Sequence, residues 1–412
     1  MQFSNEQNHA LELVASGKNV FISGPAGTGK STILNKLKEE NPELPVTATT
    51  GIAAVNVGGI TFHSWAGLGL LDRTADDIAR FILKKHPKAR NNILKATQIA
   101  VDEVSMLNAK NLDTINRVFQ IIRKNNQPFG GIQMIFLGDF CQLPPVSRSI
   151  SDGKLAFESQ AWQHITTLIL HQIFRQKDMA FAHALNDIRL GTYSQAAAAL
   201  LQHRYQKPDP EEESCPPVII HTHNAQVDAF NAQRLAGIPG ETVEFTAADS
   251  GTDSAKETLA KYCIAPELLT LKIGARVMLL ANLDQKEGLV NGACGFVSGF
   301  LTTTNYPIVD FDNGCTQILA PHAWEIKDGT TLLGTRKQIP LRLAWANTAH
   351  KIQGLSLDKI KVHLEGVFEY GQAYVALSRV KTLDGLFIAD GTKSSIKAHP
   401  KAVRFYQNHT MP

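Results

Sequence analysis

The sequence predicts an α/β protein with two parallel-sheet units and a smaller β insertion, and three observations predict it. In the first half, short β-branched runs alternate with helical stretches. Asn19 to Ser23, Val46 to Thr49, Gln98 to Val101 and Gln133 to Leu137 each end in a polar or glycine-rich turn, the rhythm of parallel strands joined by crossover helices. A strand at Val218 to Ile220 and a helix from near Asn224 open a second α/β unit, whose texture resumes at Leu341. Between about Leu268 and Thr335 the chain turns to short strands with Asn-Gly turns at Asn291-Gly292 and Asn313-Gly314, the pattern of a β insertion. Ala180 to Gln202 is alanine-rich and helical. It breaks at Gln206 to Pro217, whose prolines and three glutamates make a solvated connector.

Hydrophobic residues at 43% and charged residues at 19% exclude a disordered, collagen-like or coiled-coil chain. No apolar stretch approaches the roughly 20 residues that span a bilayer. Met1 to Ala10 carries Asn, Glu and His where a signal peptide would be apolar, so a cytoplasmic protein with no membrane partner is expected. Five cysteines, Cys141, Cys215, Cys263, Cys294 and Cys315, form no C-x-x-C pair, and no His spacing resembles a zinc site. They read as reduced thiols. With a net charge of +3, any nucleic-acid surface must come from local arrangement rather than overall basicity.

Chemistry concentrates at the strand ends, where ligands bind in sheets of this kind. Gly24-Pro25-Ala26-Gly27-Thr28-Gly29-Lys30-Ser31 follows a strand and precedes a helix bearing Ile33, Leu34 and Leu37, the context a phosphate-binding P-loop requires. Glycines let backbone N–H groups close around phosphate at a helix N-terminus, Lys30 reaches the β and γ phosphates, and the Ser31 hydroxyl ligates Mg²⁺. Asp102 and Glu103 end the strand that begins at Gln98: Asp102 would hold the same Mg²⁺ and Glu103 would polarise the attacking water. Phe136 to Val146 ends a further strand with Gln142, placed to feel the γ-phosphate, and a stiff Pro144-Pro145 pair. Together these residues define an NTP hydrolase without defining its task.

Taken with the P-loop and Asp102-Glu103, the Phe136 to Val146 string resembles the helicase core of superfamily one, in the branch of the petite-integration-frequency (Pif) helicases and their RecD-like and phage Dda-like relatives. The resemblance runs nearly end to end. Gln7 looks like the Q motif that recognises adenine; Thr49 to Ala54 and Thr61 to Ser64 look like the region that touches single-stranded DNA; Leu170 to Gln176, followed by Asp178, Phe181, Leu185, Ile188, Arg189 and Gly191, is similar to a Pif-specific segment. His350 to Gly354 resembles motif V, with Ile352 where the family usually has a small polar residue, and Gln372 to Arg379 resembles motif VI. Gly274 to Leu279 and Leu289 to Val297 look like the Pif 2B region.

The resemblance implies two RecA-like parallel-sheet P-loop domains with small inserted domains, one of them a β-barrel. Residues 1–175 would form domain 1A, with a 1B wedge element inserted at 65–96; 176–267 and 339–412 would form domain 2A; 268–338 would form 2B. It implies ATP and Mg²⁺ in the cleft between the two halves, held by Gln7, Gly24, Ala26, Gly27, Thr28, Gly29, Lys30, Ser31, Thr32, Asp102 and Gly354. Lys30, Glu103, Gln142 and the arginine fingers Arg175 and Arg379 would be catalytic. DNA contacts would come from Thr50, Gly51, Thr61, His63, Ser64, Pro144, Val146, Asn291, His350 and Lys351, through phosphates and stacking. The basic run Lys84, Lys85, His86, Lys88 and Arg90 reads equally as a DNA contact or a solvated helix face, and Trp65 and Trp345 as packing residues rather than base stackers. The implied protein is a 5′-to-3′ helicase acting on single strands, single-strand/duplex junctions and G-quadruplexes, monomeric and nucleoid-associated, of bacterial or phage origin, with repair, recombination and telomere roles. A motor that needs a partner to separate strands is the competing reading.

Overall fold

The computed structural model describes residues 3–69, 71–145, 153–176, 178–205, 216–284, 286–328, 331–349, 352–353 and 355–409. The chain divides into two compact units, the first comprising Met1–Phe174, Glu325–Gly334 and His399–Pro412 and the second Arg175–Trp324 and Thr335–Ala398.

Unit 1 is built on six strands: β1 (Val20–Ser23), β2 (Val46–Ala48), β3 (Ile60–Thr61), β4 (Gln98–Asp102), β5 (Gln133–Gly138) and β6 (Thr166–Ile169). They lie in the order β3-β2-β4-β5-β1-β6, and each pairing is parallel. All four β1 residues are buried, as expected of a strand covered on both faces. Helix α1 (Asn5–Ala15) and α2 (Lys30–Glu40) cover the sheet, and their Ala10, Val14, Ile33, Leu34 and Leu37 join Val20, Ile22, Ile135 and Leu137 in one cluster. The short helices α3 (Gly51–Asn56) and α4 (Phe62–Ala66) follow β2 and β3.

Within 65–96, where the resemblance implies a 1B element, lie α5 (Ala75–Lys85) and α6 (Pro87–Lys95), which pack against α7 (Ala109–Arg123). Thr74 caps α5, two aspartates occupy its first turn and two lysines its last, all in the sense that suits the helix dipole. Lys84, Lys85, His86 and Lys88 are exposed. Trp65 is a core residue, 2% exposed, with its ring against Phe62 and Phe119. Trp345 is half-buried against the unit 2 β-sheet core.

The last helix, Pro400–His409, groups with unit 1, whereas the sequence partition places 339–412 in the second half. The reason is aromatic: Phe405 packs against Phe21, Phe140, Phe157 and Trp162.

Unit 2 contains a four-stranded parallel sheet in the order Ala346–Thr348, Val218–His221, Ile360–His363, Leu386–Asp390. The helical stretch expected at 180–202 is two helices, Met179–Arg189 and Gln195–Tyr205. An antiparallel five-stranded sheet occupies the β insertion, in the order Thr316–Ile318, Pro307–Phe311, Cys294–Phe300, Arg276–Leu279, Leu341–Leu343. Its last strand lies past residue 338 because Ile339 and Leu341 share its core. Among the described residues the pairings run from one outer strand to the other without closing a barrel. Arg276, 2% exposed, grips Asp312 through Nη1 and Nη2, each at 2.6 Å, and Arg336 grips Asp249 through Nε at 2.8 Å and Nη2 at 2.6 Å.

Truncating Trp65 to alanine is expected to cost about 3–5 kcal/mol, because a large aromatic leaves a cavity in a rigid core. Urea unfolding measures it. A Trp65→Ala protein of unchanged stability that had lost affinity for single strands would make Trp65 a base stacker instead.

Candidate nucleotide site

The carboxyl ends of β1, β4 and β5 carry the residues that the sequence singles out, and each is held by its local geometry. After β1 the chain bends into the loop 24–29. Gly24 has φ +151°, and a Cβ there would lie 2.5 Å from the Leu170 carbonyl oxygen. Gly29 caps α2 in the left-handed region at φ +85°, where a Cβ would lie 2.3 Å from Gln7 Nε2. Only glycine meets both demands. The loop is closed internally: Thr28 Oγ1 donates to Pro25 O at 3.0 Å, and Lys30 Nζ donates to Gly24 O at 2.7 Å and Pro25 O at 3.0 Å. Phosphate oxygens are better acceptors for an ammonium than these carbonyls. Ser31 and Thr32 follow in the first turn of α2.

Gln7 is 4% exposed, and both ends of its amide are engaged. Its Oε1 accepts the Ser4 N–H at 3.0 Å within a capping box, and its Nε2 donates to Thr28 O at 3.3 Å. This side chain therefore ties the start of α1 to the phosphate loop. Beside it a cleft of about 490 Å³ is lined by Phe3, Ser4, Asn5, Glu6, Gln172 and Phe174. The Phe174 N–H reaches Gly27 O at 2.8 Å, so the cleft adjoins the phosphate loop, and its exposed aromatic ring offers a stacking face for a planar base. The Glu6 carboxylate holds the 171–172 backbone through the N–H groups of His171 and Gln172 at 2.9 and 3.1 Å. Burial raises the Glu6 pKa, but these hydrogen bonds outweigh it, and the group is held below its ordinary value.

At the end of β4, Asp102 Oδ1 accepts the Glu103 N–H at 2.9 Å. Burial pushes the Asp102 carboxyl up, opposed by that hydrogen bond and by the Lys30 charge, which marks a carboxylate facing the lysine. Glu103 sits in the left-handed region at φ +54°, and its carbonyl accepts Thr49 Oγ1 at 2.5 Å. Ser31 and Asp102 supply oxygen donors suited to a hard divalent cation. No group of three or more His, Cys, Asp or Glu able to hold a metal occurs among the described residues, so phosphate and water oxygens would complete such a shell. At the end of β5, Gln142 is 6% exposed and its N–H closes a turn onto Asp139 O at 2.9 Å.

Unit 2 brings Arg175 and Arg379 together. Arg379, 1% exposed, donates through Nε to Val375 O and through Nη2 to Ser378 Oγ, each at 2.7 Å. Arg175 Nη1 donates to Ser378 O at 3.0 Å. Burial first, then the Arg379 charge, pulls Arg175 down to about 9, with Tyr374 opposing. Two guanidiniums held this close favour an anion as their common partner.

The candidate DNA residues are dispersed. Gly51 begins α3, and Thr50 precedes it with its Oγ1 accepting the Ala53 N–H at 3.3 Å. Thr61 caps α4, its Oγ1 accepting the Ser64 N–H at 3.2 Å, and burial lowers the His63 pKa so that the ring is neutral near pH 7. Pro144 is half-buried after β5. Asn291 donates its backbone N–H to Asn282 Oδ1 at 2.8 Å, and its own Oδ1 is buried with no partner among the described residues. Val146, His350, Lys351 and Gly354 lie outside the described residues. Ile352 is fully buried, which explains an apolar residue there. The roles of Thr49 Oγ1, the Glu6 anchor and Tyr406, whose hydroxyl contacts Ser23 and the Phe140 N–H, carry no local signal in the sequence; the β-branched run of β6 does.

Comparison with known proteins follows the same motifs. The PIF1-like helicase family model matches residues 2–199 and the DNA helicase Pif1 2B domain model residues 255–300. ATP-dependent DNA helicase PIF1 of Xenopus laevis is 38% identical over 98% of this chain, and the chain spans 64% of that relative. Bacteroides Pif1 in complex with ADP-AlF4 superposes with a TM-score of 0.86 at 31% identity, covering 99% of this chain and 97% of that one. Bacteroides Pif1 with ADP-AlF3 and single-stranded DNA matches at a TM-score of 0.66 and 31% identity over the same shares.

Gly24→Ala tests the loop. Strain of about 1–3 kcal/mol, roughly five- to 150-fold in affinity, is expected to fall on nucleotide binding, measured by titration with a fluorescent ATP analogue.

Proposed function

Since this chain belongs to the PIF1-like helicase family, we propose that it is an ATP-dependent DNA helicase, which moves 5′ to 3′ along single-stranded DNA and opens duplex or structured DNA ahead of it. The observation that carries the proposal is the convergence of Lys30, Asp102 and Gln7 on one glycine-cradled loop at the edge of a parallel sheet. Bacteroides relatives hold ADP-AlF4 and single-stranded DNA, which supports the same ligands here.

In this reading adenine lies in the cleft beside Phe174, with Gln7 supporting the loop beneath it, and the loop amides take the phosphates. Ser31 and Asp102 would hold Mg²⁺, which would supply neutralisation of phosphate charge. Lys30 turns from the Gly24 and Pro25 carbonyls to phosphate oxygens. Glu103 orients the water, Gln142 senses the γ-phosphate, and Arg175 and Arg379 neutralise charge that develops on the transferred phosphoryl group. Thr50, Gly51, Thr61, His63, Ser64, Pro144 and Asn291, with Val146, His350 and Lys351, contact the strand, chiefly through its backbone. Neutral His63 fits stacking or hydrogen bonding better than ionic contact. Forks and G-quadruplexes both present the exposed strand that such a motor needs.

The test uses two matched duplexes, one with a 5′ tail and one with a 3′ tail, with Lys30→Ala as the blank. Opening of the 5′-tailed duplex alone, lost in the variant, is the expected result. If neither opens while the tails still stimulate ATP hydrolysis, the chain is a motor that needs a partner. Arg379→Ala is expected to lower the ATPase kcat by about 10³-fold or more, measured in steady state with saturating single-stranded DNA.

A further inference from the structure

We propose that Tyr406, on the last helix of the chain, is a positioning residue for ATP hydrolysis; the proposal deepens the helicase reading above and rests on it. Its hydroxyl lies 2.6 Å from Ser23 Oγ, the side chain immediately before the phosphate loop, and accepts the Phe140 N–H at 2.9 Å. Ser23 Oγ in turn donates to Gly138 O at 3.0 Å. Ser23 has one hydroxyl proton, and the Gly138 carbonyl takes it, so Tyr406 supplies the proton between the two hydroxyls. The result is a directed chain from the Phe140 N–H through Tyr406 and Ser23 to the Gly138 carbonyl. It joins the end of β1 to the turn 138–142 that carries Gln142.

The site is dry and rigid. Ser23, Phe140 and Tyr406 are 0%, 1% and 3% exposed, and the neighbouring Phe405 ring is fixed against Phe140, Phe157 and Trp162. In such surroundings a chain of hydrogen bonds is strong and its members cannot turn to water instead. Tyr406 acts through Ser23 and the Phe140 backbone rather than at the reacting atoms. What it sets is the spacing between the loop that binds phosphate and the turn that senses it, and small errors in such spacing are costly in rate.

Tyr406→Phe removes the hydroxyl and keeps the ring. The expected result is a fall of about tenfold in DNA-stimulated kcat with the KM for ATP within about twofold, together with faster amide hydrogen exchange across 138–142. A purely structural role would lower the thermal midpoint and leave kcat unchanged at temperatures well below it. Should the variant not fold, Ser23→Ala removes the next link of the chain and is read the same way. Unchanged kcat, or unchanged exchange protection at 138–142, overturns the proposal. Wild-type protein with no DNA-stimulated hydrolysis would sink the helicase reading instead, and the exchange measurement would still decide the role of Tyr406.

Discussion

Every strand of the unit 1 sheet runs the same way, and this single constraint determines where chemistry can happen. Parallel strands present all their carboxyl ends at one edge. Residues as distant in sequence as Ser23, Thr49, Asp102 and Gly138 therefore arrive together, and their hydrogen bonds fasten neighbouring strand ends to one another. Thr49 bonds to the Asp102 and Glu103 carbonyls, and Ser23 to the Gly138 carbonyl. The apolar burial of β1 and its neighbours keeps that edge from shifting. A site of this kind has little freedom to relax: the loop needs glycine because Leu170, just past β6, and Gln7 press on it from two sides.

Unit 2 solves a different problem. Its arginines are costly to bury, and the structure offsets that cost with fixed acceptors: carboxylates for Arg276 and Arg336, backbone and hydroxyl oxygens for Arg175 and Arg379. The first pair is stapled to opposite charge and is structural. The second lies side by side, Arg175 and Arg379 both bonding to Ser378, a pairing of like charges that an anion would relieve. The same residue type thus serves two ends, and the nature of the acceptor distinguishes them.

Much of this was legible in the sequence. The strands β1, β2, β4 and β5 follow from β-branched runs, and the P-loop and Asp102-Glu103 from spacing, because those features are local. The family motifs carried the rest of the nucleotide site. What escaped was non-local. Helix Pro400–His409 shows ordinary amphipathic spacing, and nothing near Tyr406 tells that its hydroxyl meets Ser23, 383 residues earlier. The strand Leu341–Leu343 pairs back with Arg276–Leu279 across the whole β insertion, so its membership could not be read from its own three residues. Gln7 was legible as a motif, yet its reciprocal cap with Ser4 and its bond to Thr28 depend on a fold in which α1 abuts the loop.

Glu103 stands in a backbone conformation that a β-carbon disfavours by on the order of 1 kcal/mol, directly beside the carboxylate of Asp102. A glycine or an asparagine would sit there with less strain. Selection for durability alone, in a laboratory or in a lineage living in heat, would press against this position, and relief would come at the expense of the one carboxylate assigned to the water. Consensus or thermostabilising redesign of the chain should therefore hold residue 103 fixed and seek its gains elsewhere.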